Sequence, residues 1–212
     1  PQALPDTGYV WISCGRKEFE AAQGQIQVSL QALCGMQLVD LHISDLLNIQ
    51  LPSRFDFTSQ YDLLVFRRLA ASSGAAEATP APEPLHKATR RGGPPVLKRI
   101  DTSPVGFALF DRVLLTVHPA DCAVRDAYAT KLLNSASAES RAAGARPPTS
   151  PPDLMLRIIN QIVDGFLELR RTLTHQLDHW QTELINPRTR FNNWSSLLDT
   201  RLSLHHLDDV CE

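Results

Sequence analysis

The stretch YDLLVFRRL, from Tyr61 to Leu69, decides the fold that this sequence predicts. Its central residues are apolar at consecutive positions, so both sides of this strand would be buried. Strands of this kind belong to a sheet that is covered on both faces. We therefore expect a sheet with helices packed against each side.

Further strand and helix patterns lie on either side of this stretch. Strands are predicted for YVWISC, VLKRI, VGFALF and RVLLTVH, at residues 9–14, 96–100, 105–110 and 112–118. Only Asp111 separates the last two, which predicts a tight hairpin. Helices are predicted over residues 16–33, 40–49 and 121–133, and Asp121 would be the N-cap of the third.

The last third of the chain predicts a long amphipathic helix. Pro151-Pro152-Asp153 is a helix-start signal, and apolar residues then recur at Met155, Ile159, Ile162, Phe166, Leu169, Leu173, Leu177, Trp180 and Leu184. The stretch from Leu156 to Ile185 would form a helix about 45 Å long. Asn186-Pro187 ends it, and a second helix from near Asn192 would pack against it through Trp180 and Trp194.

These patterns predict an α/β (α+β) fold: an α/β/α sandwich with a mixed sheet, followed by a long antiparallel helical hairpin. Residues 1–150 would form the sandwich domain, with low-complexity loops at 70–95 and 134–152, and residues 153–212 would form the hairpin. The helical pattern reaches Cys211 and Glu212 without a glycine or proline stop. We therefore expect the structure to continue beyond this point, and the chain to be truncated before further segments.

Composition argues against several classes of function. The net charge is −2, from 21 basic and 23 acidic residues, which gives no electrostatic reason to expect nucleic acid as a partner. The four cysteines are too far apart in sequence for a zinc knuckle, and we expect buried free thiols. No apolar run of about 18 residues is present, so the chain as given is not expected to span a membrane. The motifs of hydrolases, P-loop proteins, dinucleotide-binding enzymes and metalloproteases are missing, so we predict neither an enzyme nor an organic cofactor.

Three segments, taken in order, resemble one known family. YVWISC matches an early strand with Trp-Ile, and Thr116-Val117-His118 precedes a long helix containing Ile162-Val163-Asp164. Between them, a helix, a basic bend and a Tyr-Asp strand match the family at Asp45, Leu47, Asn48, Arg54, Asp56, Tyr61 and Asp62. In this order and spacing, residues 9–212 resemble the cytoplasmic part of the CorA family of divalent-cation transporters, which includes the zinc transporter ZntB.

The resemblance implies an α/β/α domain followed by long helices that form the funnel of a homopentamer under the cell (inner) membrane. In that family the last helix continues into transmembrane segments with a Gly-Met-Asn signature that this chain lacks, so permeation would not reside here. It implies self-association and divalent cations as partners, with membrane contact only through segments after Glu212. The isolated chain would be monomeric or dimeric if those segments hold the pentamer together.

Asp45 is the first candidate metal ligand. The resemblance places it at the family carboxylate that helps to bind a regulatory divalent ion at a subunit interface. Carboxylates are the ligands that hard cations prefer. The alternative is a solvated helix carboxylate or a cap, because the second acidic partner in that family lies outside this chain.

His175 and His179 are the second candidate metal site. Their i, i+4 spacing puts two imidazoles on one helix face, as a helical zinc site requires. A third ligand would come from the second helix or from a neighbouring subunit, and the alternative is a pair of exposed histidines. The nearby Arg170 and Arg171, with few acidic residues, argue against an acidic surface that attracts hydrated Mg. Imidazole suits Zn, Ni or Co better than Mg.

The leading hypothesis is the cytoplasmic domain of a CorA/ZntB-like transporter of Mg, Co, Ni or Zn, which forms the intracellular funnel and senses metal to gate transport. The alternative is an oligomeric scaffold whose hairpin is an interaction surface without a metal response. Titration with these four ions separates the two hypotheses.

Overall fold

The structure, a computed structural model, describes residues 3–70, 100–120, 122–135, 147–187 and 193–211. Most of the two predicted loops, most of the strand candidate VLKRI and the predicted N-cap Asp121 lie outside these residues. The chain divides into two compact units. Unit 1 contains Pro1–Ala71 and Thr102–Asp164, and unit 2 contains Ser72–Asp101 and Gly165–Glu212.

Within the described residues, unit 1 is built on a five-stranded mixed sheet. Its strands are β1 (Val10–Gly15), β2 (Arg54–Phe57), β3 (Asp62–Leu69), β4 (Thr102–Leu109) and β5 (Val113–His118). They lie in the order β1-β5-β4-β3-β2, with β1 parallel to β5 and the other neighbours antiparallel. The predicted mixed sheet is confirmed. The tight turn between β4 and β5 is also confirmed, since the Phe110 N–H donates to the Val113 carbonyl at 2.9 Å.

The edge strand β2 is the strand that the sequence did not predict. Its four residues RFDF fall in what was interpreted as a basic bend, but they pair with β3, with Phe55 opposite Leu64. Four residues are too short for a period-two pattern to stand out, because one alternation of polar and apolar side chains also occurs in turns.

Three helices between β1 and β2 cover one face of the sheet: α1 (Arg16–Ala21), α2 (Gln23–Cys34) and α3 (Asp40–Leu47). The single helix predicted over residues 16–33 is thus two helices, and the break falls at Ala22. Phe19, Leu30 and Leu46 form one core with Leu63 and Leu115 of the sheet, and each of these five is at most 2% exposed.

α3 packs closely on β4 at Gly106. A Cβ atom at this position would overlap the end of the buried Leu46 side chain, which would have to move within the core to admit it. Leu46 is the neighbour of Asp45 in α3, so this close packing lies next to the candidate carboxylate.

The other face of the sheet is covered by α4 (Ala123–Ser135) and by the first turns of α5 (Pro151–Ile185). Trp11 and Phe107 of the sheet line a small cavity of about 10 Å³ together with Ile158 and Ile162 of α5. Both faces of the sheet are therefore covered, and the predicted α/β/α sandwich is confirmed.

The apolar stripe of α5 differs from the prediction in its first two turns. Leu154 and Ile158 are the buried residues there, and the predicted Met155 and Ile159 are only half-buried. Both pairs fit the helical period up to Ile162, so periodicity alone does not separate them. The sheet decides which pair is buried.

Unit 2 contains the rest of α5 and the final helix α6 (Trp194–Cys211). Each helix has a buried stripe at i, i+3, i+7: Leu173, Gln176 and Trp180 on α5, and Thr200, Ser203 and Leu207 on α6. The Asn193 side-chain amide donates to a Glu183 carboxylate oxygen at 3.4 Å, where the two helices meet. This bond and the two buried stripes accord with the predicted antiparallel hairpin.

The two tryptophans of this hairpin differ from each other. Trp180 is 3% exposed, as predicted for a residue between the helices. Trp194 is 60% exposed, so the prediction that it packs there is wrong. It is the first residue of α6, where the helix face that continues into Leu198 and Leu202 is also exposed.

Candidate functional site

Asp45 lies on the inner face of α3. The buried residues of this short helix are His42, Ile43, Asp45 and Leu46. His42 and Asp45 are three positions apart, so their side chains lie on the same helix face. Asp45 is 7% exposed, which excludes the alternative of a solvated surface carboxylate.

Strand β2 brings two charged side chains to this helix face. Because side chains alternate along a strand, Arg54 and Asp56 point towards α3, and Phe55 and Phe57 point to the other face. Arg54 Nη1 lies 3.5 Å from Asp45 Oδ2, and Arg54 Nη2 donates to Asp56 Oδ2 at 3.1 Å. One arginine therefore lies between two carboxylates.

His42 and Tyr61 extend this arrangement into the core. The Val39 N–H donates to the Tyr61 hydroxyl at 3.0 Å, and the Tyr61 oxygen lies 2.7 Å from His42 Nδ1. A Tyr61 hydroxyl that donates its proton to Nδ1 leaves the histidine proton on Nε2. His42 Nε2 lies 3.4 Å from Asp56 Oδ2, so this N–H faces a carboxylate.

The surroundings of Asp56 favour its charged form. The Phe57 N–H donates to Asp56 Oδ1 at 2.8 Å and is the largest cause of a lowered pKa for this carboxyl. Partial desolvation acts in the opposite direction, and His42 and Arg54 lower the pKa further. Burial raises the pKa of the Tyr61 hydroxyl, which therefore stays protonated as a hydrogen-bond donor.

We call Asp45, Arg54, Asp56, His42 and Tyr61 the α3–β2 network. Four of its members, all except His42, are residues that carried the family resemblance, and the structure brings them together. Reasoning from the sequence missed His42. Its i, i+3 spacing from Asp45 on a predicted helix was the available signal.

The donor set around Asp45 fits a divalent cation only in part. Asp45 Oδ2 is buried and has no hydrogen-bond partner, which is a feature that a cation would satisfy. A positive group nevertheless already lies beside it, namely the Arg54 guanidinium. In the ranges that the structure describes, no group of three or more His, Cys, Asp or Glu side chains is arranged to hold a metal ion. Asp45 thus offers one ligand, and the others would have to come from another chain or segment.

His175 and His179 lie on α5 in unit 2, and both are exposed. The His179 ring contacts the neighbouring Trp180 edge-on, with ring centroids 5.0 Å apart. Within the described residues, no third His, Cys, Asp or Glu side chain completes a metal-holding group with this pair. The two histidines therefore remain a candidate pair that another chain would have to complete.

The Thr116-Val117-His118 motif has a structural role in unit 1. The Trp11 indole N–H donates to Thr116 Oγ1, and Ser13 Oγ lies beside His118 Nε2, both at 3.0 Å across the β1–β5 pair. His118 Nδ1 lies 3.0 Å from the Pro119 carbonyl, so Nδ1 is the donor and Nε2 accepts from Ser13. Burial lowers the pKa of His118, although the Pro119 contact acts in the other direction.

Two further expectations have mixed outcomes. Cys14 and Cys122 are buried free thiols as predicted, whereas the free thiol of Cys34 is only half-buried. Burial raises the pKa of Cys14 to about 11, which keeps its thiol unreactive. Asp164 of the Ile162-Val163-Asp164 motif would be a structural carboxylate if it bonded to the α/β domain, but it is exposed on α5. An isolated acid in an apolar run does not reveal which side of the helix it occupies.

Comparison with known proteins identifies one family. The family model described as CorA-like Mg2+ transporter protein matches residues 8–212. No curated protein sequence matches the chain.

Several solved structures are similar to the chain at low sequence identity. The full-length CmaX protein is 15% identical with a TM-score of 0.60, and the match covers 95% of this chain and 49% of that one. The complete CorA magnesium transporter of Methanocaldococcus jannaschii is 11% identical with a TM-score of 0.51, covering 98% and 66%. The cytoplasmic domain of ZntB from Vibrio parahaemolyticus is 13% identical with a TM-score of 0.48, covering 85% and 57%. This chain therefore corresponds to about half the length of full-length CmaX.

Proposed function

Because the chain belongs to the CorA-like Mg2+ transporter protein family, we propose that it is the cytoplasmic domain of a divalent-cation transporter and forms its intracellular funnel. Members of this family are transporters rather than enzymes, in accord with the prediction that the chain is not an enzyme. The observation that carries the proposal is the family match over residues 8–212, together with the α/β/α unit and the long C-terminal helices.

Permeation is proposed to take place in membrane segments that this chain does not contain. Within the described part of the chain, no helix combines the length and apolar character that crossing a bilayer requires. The proposed longer protein would lie in the cell (inner) membrane, with this domain in the cytoplasm. Mg, Co, Ni and Zn remain the candidate transported ions.

Regulation is proposed to involve Asp45 as a ligand of a regulatory divalent ion at a subunit interface. The burial of Asp45 and the unpaired hydrogen-bonding capacity of its Oδ2 support this role, because a buried carboxylate needs a positive or donating partner. A second copy of the chain would supply the further ligands. His175 and His179 are the proposed alternative site, suited to Zn, Ni or Co.

The test is titration of the protein with Mg²⁺, Co²⁺, Ni²⁺ and Zn²⁺, followed by thermal unfolding and isothermal titration calorimetry. We expect stabilisation by at least one ion, because a ligand at 100 times its Kd stabilises the folded state by about 2.7 kcal/mol. Asp45→Asn should abolish this effect. Asp40→Asn removes the same charge from an exposed position of the same helix and should leave it unchanged.

The variant with both His175→Gln and His179→Gln distinguishes the two proposed sites. If this variant is no longer stabilised by Zn, Ni and Co, while Asp45→Asn is still stabilised as wild type is, the sensing site lies on α5 instead. Absence of stabilisation by all four ions in the assembled protein would contradict metal sensing altogether.

The second candidate function is an oligomeric scaffold without a metal response. One observation favours it: Arg54 already provides a positive charge at Asp45, so the carboxylate does not require an ion for neutralisation. In that case the wild-type protein would show no stabilisation with any of the four ions, yet would still assemble.

A further inference from the structure

Arg54 occupies the position beside Asp45 that a cation would take. Its Nη1 lies 3.5 Å from Asp45 Oδ2, beyond the usual hydrogen-bond range of about 2.7–3.2 Å. Asp45 Oδ2 accordingly has no hydrogen-bond partner, although its side chain is only 9% exposed. The pair is therefore held by charge attraction alone.

Asp45 depends on this positive charge. A carboxylate that is buried away from water is costly unless a positive group or hydrogen-bond donors compensate it. Arg54 is the positive group that lies within ion-pair distance of Asp45 among the described contacts. Removing the guanidinium would leave the buried carboxylate without a compensating positive charge.

The position of Arg54 makes it replaceable. Its other terminal nitrogen holds a true hydrogen bond to Asp56, whose remaining oxygen is fixed by the Phe57 N–H. Arg54 can thus release Asp45 and keep Asp56 as its partner. Its side chain is 38% exposed and lies on the edge strand β2, so it has room to turn outwards.

We infer that Arg54 is a built-in counter-ion of Asp45 that competes with divalent cations for this carboxylate. The inference rests on the proposed function, because it takes Asp45 to be the ligand of a regulatory ion. It adds a determinant of sensitivity: Arg54 sets the concentration at which a divalent cation gains access to Asp45. The role of Asp56 is to hold Arg54 when Asp45 is released.

The experiment compares the wild-type protein with Arg54→Gln, Arg54→Lys and Arg112→Gln. Mg²⁺, Co²⁺ and Zn²⁺ are titrated by calorimetry, and thermal unfolding is followed with and without each ion. Arg112 is the matched control, since it is also half-buried but bonds the Pro5 and Gly8 carbonyls instead of a carboxylate. Its replacement by glutamine changes the net charge equally.

We expect Arg54→Gln to bind at least one ion roughly tenfold more tightly than wild type, which corresponds to about 1.4 kcal/mol of competition. Without the ion it should unfold at a lower temperature, and saturating ion should restore the wild-type value. Arg54→Lys keeps the positive charge but loses the planar guanidinium fork that reaches towards both carboxylates, so it should have an intermediate affinity. Adding Asp45→Asn to Arg54→Gln should remove the gain in ion affinity. Arg112→Gln should bind each ion with the wild-type affinity.

The ion affinities of wild type and Arg54→Gln separate a failure of the competition from a failure of metal sensing. If the wild type binds an ion and Arg54→Gln binds it with the same Kd, the competition is refuted while metal sensing stands. If neither protein binds any ion, both metal sensing and the competition fail. Should Arg54→Gln not fold, Arg54→Lys decides: an affinity equal to wild type refutes the competition, and a tighter one supports it.

Discussion

At the residue scale, the histidines of unit 1 are oriented by partners that can only accept hydrogen bonds. His42 Nε2 faces the Asp56 carboxylate and its Nδ1 lies beside the Tyr61 hydroxyl, whereas His118 Nδ1 faces the Pro119 carbonyl and its Nε2 lies beside Ser13. A carboxylate and a carbonyl accept but do not donate, so His42 presents an N–H at Nε2 and His118 presents one at Nδ1. The two histidines therefore serve opposite arrangements of donors and acceptors.

His118 should make the stability of the protein depend on pH. Burial lowers the pKa of His118 in the folded state below the ordinary value of about 6.5 that the unfolded chain retains. As the pH falls through about 6.5, the unfolded state takes up a proton at His118 that the folded state does not. The free energy of unfolding therefore decreases. Above that pH the contribution of His118 to the free energy of unfolding is constant. Urea unfolding at pH values from about 5 to about 7.5, on both sides of this pKa, measures how the free energy of unfolding changes with pH.

The control for this prediction is a pair of glutamine variants. His118→Gln should have a smaller loss of stability towards pH 5 than wild type, and should be less stable at neutral pH by about 1–3 kcal/mol because buried hydrogen bonds are lost. His175→Gln, at an exposed position of α5, should keep the wild-type slope. An identical slope in His118→Gln and wild type would contradict the assignment.

At the element scale, the packing of α3 on β4 decides where the α3–β2 network lies. Leu46 occupies the space over Gly106 in which a side chain would otherwise lie, and Asp45 is its neighbour in the same helix. On the far side, β2 presents Arg54 and Asp56 because it pairs with β3 in a defined register. A shift of either element by one residue would separate the arginine from Asp45.

Gly106→Ala should therefore destabilise the protein by about 1–3 kcal/mol, the usual cost of an extra methyl group in a packed core. Gly24→Ala is the matched control. Gly24 lies within α2, and a Cβ atom there meets nothing within 4 Å, so alanine should be neutral or stabilise by up to about 1 kcal/mol. Chemical denaturation measures both variants. Equal stability of Gly106→Ala and wild type would mean that α3 does not pack this closely.

At the scale of the whole molecule, the chain consists of an α/β/α unit and a helical unit, and one helix, α5, contributes to both. Both units expose large apolar side chains. Phe55 and Phe57 stack on each other in unit 1, with 61% and 72% exposure, and Leu198 and Leu202 are each 56% exposed on α6 in unit 2. Exposed apolar surface of this extent accords with the proposal that the protein self-associates.

The proposed assembly is a homopentamer. The full-length protein that would contain this chain, solubilised in detergent, should have the mass of five subunits by light scattering combined with size-exclusion chromatography. A dimer or a tetramer would contradict the funnel that we propose. The present chain alone is expected to associate more weakly if membrane segments contribute most of the interface.

Much of the architecture follows from local patterns in the sequence. The consecutive apolar residues of β3 indicated a sheet covered on both faces, and the proline-free stretch from Leu156 to Ile185 indicated the long helix. The errors concern features without a local signal: the four-residue strand β2, the break at Ala22, and the choice of Leu154 and Ile158 over Met155 and Ile159. In each case neighbouring elements decide between conformations that the periodicity allows equally.

The sequence by itself determined the fold class, the two covered faces of the sheet and the long helix, because these depend on periodicity and on residue types at fixed spacing. Asp45 became a candidate through the family resemblance instead. Only the tertiary structure decided the surroundings of Asp45. Arg54 is nine positions away in sequence, and it reaches this carboxylate because β2 pairs with β3 and α3 packs closely over Gly106. Long-range contacts of this kind depend on the packing of whole elements, which no local pattern encodes.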